Sequence, residues 1–373
     1  MFSRSTHRFA NSFPEHPPQP CGCYMKSLIV LSALVVSMVW SSCAPSVYKE
    51  VYPTLLDGKY DTEFPYKGCA QQLEEIGETV YMLNCIAYYR SYVFPESSNV
   101  RRRDLSEETI ETKATRIVYY RSTGSGTATV VHYQEKRVAL VTCAHIVDFP
   151  DSAVSYYPGP DAKKGTIVQS LSIKERQSNY VAVFPEGGEL EILVMDRSLD
   201  VALLGKRFNV EPEKKIPVFA YPLGKARELE WGSFVYLFGY PMGFKMVTKG
   251  TVSSPNKDKH GTFLTDAVFN KGFSGGLVLA IRDGVPNFEL VGMVKLVPGS
   301  SEYFLVPDKD GDEAEYDPRV PYTGNAYVDK RQSIRYGITQ SIGIEAIIKF
   351  VQDNQTRLSK RGYSISMFAS QQP

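Results

Sequence analysis

Gly272-Phe273-Ser274-Gly275-Gly276, followed at once by the apolar run Leu277-Val278-Leu279-Ala280-Ile281, is the stretch that decides the fold. Glycines on both sides of one serine let the backbone turn tightly and gather its amides, which residues with a Cβ resist. The β-rich run after it places the turn at the start of a strand. Taken alone, a glycine-rich turn with an incidental serine explains these letters equally well. Two patches upstream change the balance. Val138-Ala139-Leu140-Val141-Thr142-Cys143-Ala144 is a β run that delivers His145 at a strand end, and Asp200 opens the run Val201-Ala202-Leu203-Leu204.

A serine hydroxyl is a poor nucleophile until a base removes its proton. An imidazole can take that proton and return it, and a buried carboxylate holds the imidazole in the required tautomer. An acid leading into four apolar residues is expected to be buried, which costs several kcal/mol without a partner. His145 is the natural partner of Asp200; an edge-strand acid or turn cap is the plainer alternative, and Asp196 is the rival nearby. Of the five histidines, His7 and His16 lie far upstream, His132 sits mid-strand and His260 in a turn-like segment. Ser274 is therefore the candidate nucleophile, His145 the base and Asp200 the orienting acid. The amides of Gly272 and Ser274 are the candidate oxyanion donors, each contributing about 3–4 kcal/mol to a transition state.

The surrounding pattern is all-β. Short β-rich runs at 79–94, 116–120, 126–133, 137–143, 165–171, 180–184, 191–195, 201–206, 234–239, 246–253, 261–265, 276–281, 290–296 and 336–339 are parted by turn residues. No helices alternate with them, so a sandwich or barrel is expected rather than a parallel α/β sheet. One late helix follows from Ile344, Ile347, Ile348 and Val351, whose spacing forms one apolar stripe. The tail from Arg357 is polar and expected to be loosely held. Gly299–Arg331 is a long acidic excursion. Its Asp308–Glu313 segment misses the spacing of a calcium-binding loop and reads as solvated surface.

Hydrophobic content of 43% and charged content of 22% fit a globular chain and exclude a disordered one. A net charge of +1 gives no electrostatic reason to expect nucleic acid, and the one dense basic run, Arg101-Arg102-Arg103, reads as a solvated loop. Lys26 followed by the apolar run Leu28–Trp40 has the form of a secretory signal, too short to span a bilayer comfortably. It ends in Ser41-Ser42-Cys43-Ala44, which resembles a bacterial lipobox with Cys43 as the lipidated residue. That resemblance implies attachment to a membrane of the bacterial cell envelope. Residues 1–24 precede this signal awkwardly, and Met25 is a plausible true start. Outside the cytoplasm Cys69 and Cys85 can pair or remain as two buried thiols; Cys143 reads as a small buried hydrophobe.

Taken together, these patches resemble those of trypsin-fold serine proteases, in particular bacterial HtrA/DegP-like peptidases. The resemblance rests on Gly124-Ser125-Gly126-Thr127, Thr142-Cys143-Ala144-His145, Asp200–Leu204, Gly239-Tyr240-Pro241-Met242-Gly243, Gly250-Thr251-Val252-Ser253, Thr265-Asp266-Ala267 with Gly272–Gly276, and Leu290-Val291-Gly292-Met293. It covers roughly residues 115–350. It implies two perpendicular six-stranded β-barrels with His145, Asp200 and Ser274 in the cleft between them, and a C-terminal helix. It also implies hydrolysis of polypeptide substrates through an acyl-enzyme, without metal or organic cofactor.

The expected division is 1–24 upstream extension, 25–43 signal, 44–110 tether and extension packing on the barrel, 111–356 protease domain and 357–373 tail. No PDZ-like region is expected after the helix. Phe273 departs from the family, which has Asn or Asp before the serine. Val268, six residues before Ser274, stands where trypsin has its aspartate. A small or apolar side chain is therefore expected in a pocket formed with Val294 and Lys295. Two other activities fit less well. A trypsin-fold binding protein with an inactive triad would not need all three residues. An esterase nucleophile elbow would need a helix after Ser274 and a histidine downstream of it.

Overall fold

Alternation along the chain builds the first barrel. The computed structural model describes residues 56–368, apart from 159–163, 269, 297–298, 308–318, 320–325 and 335–336. Helix α1 (Ala70–Glu78) leads into strand β1 (Val80–Val93), where Leu83, Cys85, Ala87, Tyr89 and Ser91 are buried and the residues between them are not. That period of two is a strand with one face on a core. Helix α2 (Glu107–Lys113) follows, its first turn capped by Ser106 Oγ, which accepts from Thr109 N–H at 3.1 Å. Next come β2 (Arg116–Gln134), β3 (Arg137–Thr142), the short α3 (Ala144–Val147), β4 (Ser152–Pro158), β5 (Lys164–Tyr180), β6 (Glu189–Asp196) and β7 (Val201–Arg207). These seven strands form one antiparallel sheet in the order β1-β2-β3-β7-β6-β5-β4. Because β1 also pairs with β5, six of them close into a barrel and β4 lies outside on β5.

The second barrel is closed by β8 (Phe234–Gly239), β9 (Met246–Ser254), β10 (Phe263–Thr265), β11 (Leu277–Ile281), β12 (Phe288–Leu296) and β15 (Thr339–Gly343), in the order β10-β15-β12-β11-β8-β9. Between its last two strands runs a hairpin of β13 (Gly299–Pro307) and β14 (Ala326–Ile334). Helix α4 (Ile344–Asp353) then buries Ile344, Ile347, Ile348 and Val351, as the apolar stripe requires, and α5 (Gln355–Lys360) follows. The architecture is the expected pair of six-stranded antiparallel barrels with a C-terminal helix. Among the described residues no helix is long and apolar enough to cross a membrane.

Several expectations are corrected. The runs 116–120 and 126–133 form one strand, since β1 pairs with β2 from Val80↔Thr129 to Val93↔Arg116 and carries Gly124-Ser125-Gly126 within the ladder. Likewise β5 is continuous to Tyr180, after which the chain turns rather than starting another strand at 180–184. β1 lies upstream of residue 111, so the first barrel starts inside the segment read as an extension. From Arg357 to Phe368 the tail is not loosely held. Leu358, Tyr363, Ile365 and Phe368 are buried in the main core, at spacings that follow no regular period and so read as polar chain. Cys69 and Cys85 are free and buried, not paired. The signal, Cys43 and the Asp308–Glu313 segment lie outside the described residues.

A strap at the start of the described chain is fastened to the second barrel. Tyr60 pairs with Arg282 in an antiparallel bridge, Asp61 N–H donates to Ile281 O at 2.9 Å, and Phe234 N–H donates to Asp61 O at 2.8 Å. The Tyr60 hydroxyl donates to Glu289 Oε2 at 2.7 Å, and the Arg282 guanidinium stacks 4.0 Å from the centre of its ring.

Candidate active site

The ladder between β3 and β7 runs to Thr142↔Ala202, so the two strands hand over to His145 and receive from Asp200 at the same edge. Ala144 N–H donates to Asp200 O at 3.2 Å and closes this corner. Asp200 has φ 67°, in the left-handed region that a short polar side chain tolerates and most residues avoid. That turn aims its carboxylate back at the histidine. Asp200 Oδ1 accepts from His145 backbone N–H at 2.8 Å, and His145 Nδ1 lies 2.9 Å from Oδ2 and 3.1 Å from Oδ1. A carboxylate only accepts, so Nδ1 carries the proton and Nε2 keeps its lone pair. Asp200 is 6% exposed, whereas the His145 side chain is 47% exposed and open to an incoming group. The rival Asp196 is a turn cap. Its Oδ1 accepts from Ser198 N–H, Ser198 Oγ and Leu199 N–H at 2.8, 2.7 and 2.9 Å. These bonds, the one from Leu199 first, hold its carboxyl below the usual range. His132 is buried within β2, which pushes its imidazole down, and His260 lies in a turn closed by Asp258.

Ser274 belongs to the other barrel, in the loop that enters β11, and is 8% exposed. The flanking glycines are there for space and for dihedrals. Gly272 has φ 109° and Gly275 φ 84°, and a Cβ on Gly275 would lie 2.1 Å from Thr127 O. Within the loop Gly276 N–H donates to Phe273 O at 2.8 Å. Among the described residues neither Gly272 N–H nor Ser274 N–H has a hydrogen-bond acceptor. Two unpaired amides in a packed loop are a receptor for a developing negative oxygen.

One carbonyl links the two loops. Val294 O accepts from Gly275 N–H at 2.9 Å and from Cys143 Sγ at 3.3 Å, so the residue after the serine and the residue two before the histidine share it. The Ser274 hydroxyl and the His145 ring are not hydrogen-bonded to each other here, a contact that often tightens only with substrate present.

Cys143, His145 and Asp200 place candidate ligand atoms within 4.8 Å of one another. Burial first, and then the Asp200 charge, push the Cys143 thiol well above its usual range, and both Asp200 oxygens already serve His145. The cluster is built to orient an imidazole rather than to hold a cation.

The expected pocket residues separate. Val268 is 58% exposed, Lys295 is half-buried, and Val294 is fully buried, its side chain in the core of the second barrel and only its backbone facing the serine loop. Two residues that lie within the quoted patches, but to which no role was assigned from the sequence, matter here. Thr127 Oγ1 donates to Gly272 O at 2.6 Å, and Thr142 Oγ1 donates to Thr127 O at 2.6 Å. Both are fully buried hydroxyls within strands, a burial that the letters alone do not reveal. The Thr265-Asp266-Ala267 patch is structural. Asp266 accepts from Thr251 N–H at 2.6 Å and Thr251 Oγ1 at 3.0 Å, tying β10 to β9.

Residues 124–293 match the family model of the trypsin-like peptidase domain. Among solved structures, the chain is similar to the serine endoprotease from Yersinia pestis, at 16% identity and a TM-score of 0.36, over 78% of this chain and 67% of that one. It is also similar to Deg5, at 15% identity and a TM-score of 0.34, over 61% of this chain and 83% of that one. No curated protein matches it.

Proposed function

We propose that this chain, whose residues 124–293 match the family model of the trypsin-like peptidase domain, is a serine endopeptidase that cleaves polypeptides through an acyl-enzyme. The observation that carries this reading is the buried Asp200 carboxylate bound to His145 Nδ1 at 2.9 Å, together with a serine loop in which the Gly272 and Ser274 amides have no acceptor among the described residues. In the reaction Ser274 Oγ attacks the scissile carbonyl and His145 Nε2 takes its proton. The new oxyanion is received by the N–H groups of Gly272 and Ser274. His145 then gives the proton to the leaving amine, and a water activated by the same imidazole releases the acyl group. Asp200 holds the imidazolium in place throughout, and no metal or organic cofactor is required.

The protease domain extends over 111–356 together with β1, and the half-buried Lys295 and exposed Val268 flank the site that receives the side chain before the cleaved bond. Cys43 is the lipid attachment point, which places the domain at a membrane of the cell envelope; Leu28–Trp40 and Ser41-Ser42-Cys43-Ala44 support this. Metabolic labelling with a palmitate analogue, lost in Cys43→Ser, tests the anchor.

A fluorophosphonate probe tests the chemistry. Labelling of the folded protein, lost in Ser274→Ala, is the expected result. A folded wild type that takes no probe and cleaves no casein overturns the peptidase reading, and if it still binds peptides it is a binding protein on the same fold.

A further inference from the structure

We propose that Thr127 is a positioning residue for the oxyanion donors: its hydroxyl, carried by the first barrel, sets the tilt of a peptide plane in the serine loop of the second. The inference rests on the peptidase reading above. Four successive peptide planes of the loop are each held through their carbonyl. Lys271 O accepts from Met242 N–H at 3.0 Å, Gly272 O from Thr127 Oγ1 at 2.6 Å, Phe273 O from Gly276 N–H at 2.8 Å, and Ser274 O from Thr127 N–H at 2.8 Å. Three of the four donors are backbone amides, fixed by the course of the chain. The fourth is a side-chain hydroxyl, and it holds the plane between Gly272 and Phe273. That plane lies directly between the two peptides whose N–H groups would bind the oxyanion.

The direction of the hydroxyl proton is settled by its other neighbour. Tyr240 N–H points at Thr127 Oγ1 from 2.9 Å and can only donate, so Oγ1 accepts there and its own proton goes to Gly272 O. Thr127 is fully buried, and its carbonyl in turn accepts from Thr142 Oγ1 at 2.6 Å. Every polar atom of the residue is therefore engaged, and water does not compete for the bond.

Position 273 does not do this work through its side chain. Phe273 is 2% exposed and packed so closely against Gly239 that a Cβ there would lie 2.6 Å from Phe273 Cδ1. The ring anchors the Cα of residue 273, but an apolar ring offers no bond to orient a neighbouring peptide plane. Gly272 has φ 109° and no side chain to resist rotation. The same plane is held at its other end by Phe273 N–H, which donates to Asn270 O at 3.2 Å. Without the Thr127 hydroxyl it loses the shorter of these two anchors, and the angle between the Gly272 and Ser274 amides is less tightly fixed.

The test is steady-state hydrolysis of a cleaved peptide, together with the second-order rate of fluorophosphonate labelling at Ser274, in wild type, Thr127→Val and Thr127→Ser. Valine keeps the shape and removes the hydroxyl; serine keeps the hydroxyl. We expect Thr127→Val to lower kcat about 10–100-fold with KM within about threefold, and the labelling rate to fall in parallel, because donor angle matters only once the oxyanion forms. Thr127→Ser should return kcat to within about threefold of wild type, since the bond and not the methyl group is responsible. A merely structural threonine would instead move melting temperature and KM, or leave both rates alone. A Thr127→Val kcat within about threefold of wild type overturns the proposal, as does a loss that Thr127→Ser does not rescue. If Thr127→Val does not fold, Thr127→Cys, with a weaker donor of similar size, takes its place under the same criterion. An inert wild type overturns the peptidase reading and this inference with it; an active wild type with an equally active Thr127→Val overturns this inference alone.

Discussion

His145 and Asp200 leave the first barrel at the ends of neighbouring strands, β3 and β7, and meet side chain to side chain. Ser274 leaves the second barrel in a loop held through its main chain, by amides and one threonine hydroxyl. The first arrangement needs only sheet register, because adjacent strand ends are close in any antiparallel ladder. The second has to fix peptide planes across the junction of two barrels, so it depends on glycine conformations and on groups from elsewhere in the chain. The two halves of the site should therefore fail differently when perturbed: the first in chemistry, the second in chemistry and folding together.

The largest effect is expected at the side-chain pair. Asp200→Asn should reduce kcat/KM about 10⁴-fold, by analogy with the same change in a known triad, while the melting temperature moves little; a loss below tenfold would break the contrast. Next is the main-chain half. Gly275→Ala forces a Cβ to within 2.1 Å of Thr127 O at φ 84°. It should cost about 2 kcal/mol or more in urea unfolding as well as activity, and an unchanged midpoint would show that the loop is not over-determined. Thr142→Val removes the bond to Thr127 O and should cost about 1 kcal/mol, with kcat lowered only a few-fold.

A further effect, on the pH dependence of stability alone, lies away from both halves. Burial first pushes the Asp61 carboxyl from its ordinary 3.8 up to about 6. Between those values the folded chain binds more protons than the unfolded one, so stability falls as pH rises through that window. Asp61→Asn should flatten the dependence of melting temperature on pH there, and an unchanged slope would remove Asp61 as its source.

The residues most visible in the sequence sit where an apolar run meets something polar. Asp200 before Val201–Leu204, His145 after Val138–Ala144 and Ser274 before Leu277–Ile281 each mark a strand end, and strand ends are where the two barrels present chemistry. The hidden residues lie inside runs. Thr127 reads as one more β-branched residue in a strand, and only the arrival of Gly272 O from the other barrel gives its hydroxyl a task. Val294 was legible as a strand residue but not by face, since the register of β12 on β15 shifts between Val294 and Leu296. The strand character of β5 was masked by Lys174-Glu175-Arg176-Gln177, of which Glu175 and Arg176 are exposed while Lys174 and Gln177 donate to Phe149 O and Val147 O, as this part of the strand pairs with β1. Leu358, Tyr363, Ile365 and Phe368 show no period because they follow a broken path over the core rather than one helix face.

The strap around Tyr60 and Asp61 has a mechanical meaning. A tug on the chain ahead of Asp57 reaches the β11–β12 corner first, through the Arg282 bridge, the Glu289 bond and the main-chain clasp on Ile281. The second barrel bears that load, and the imidazole and its carboxylate, rooted in the first, stay off the line of force.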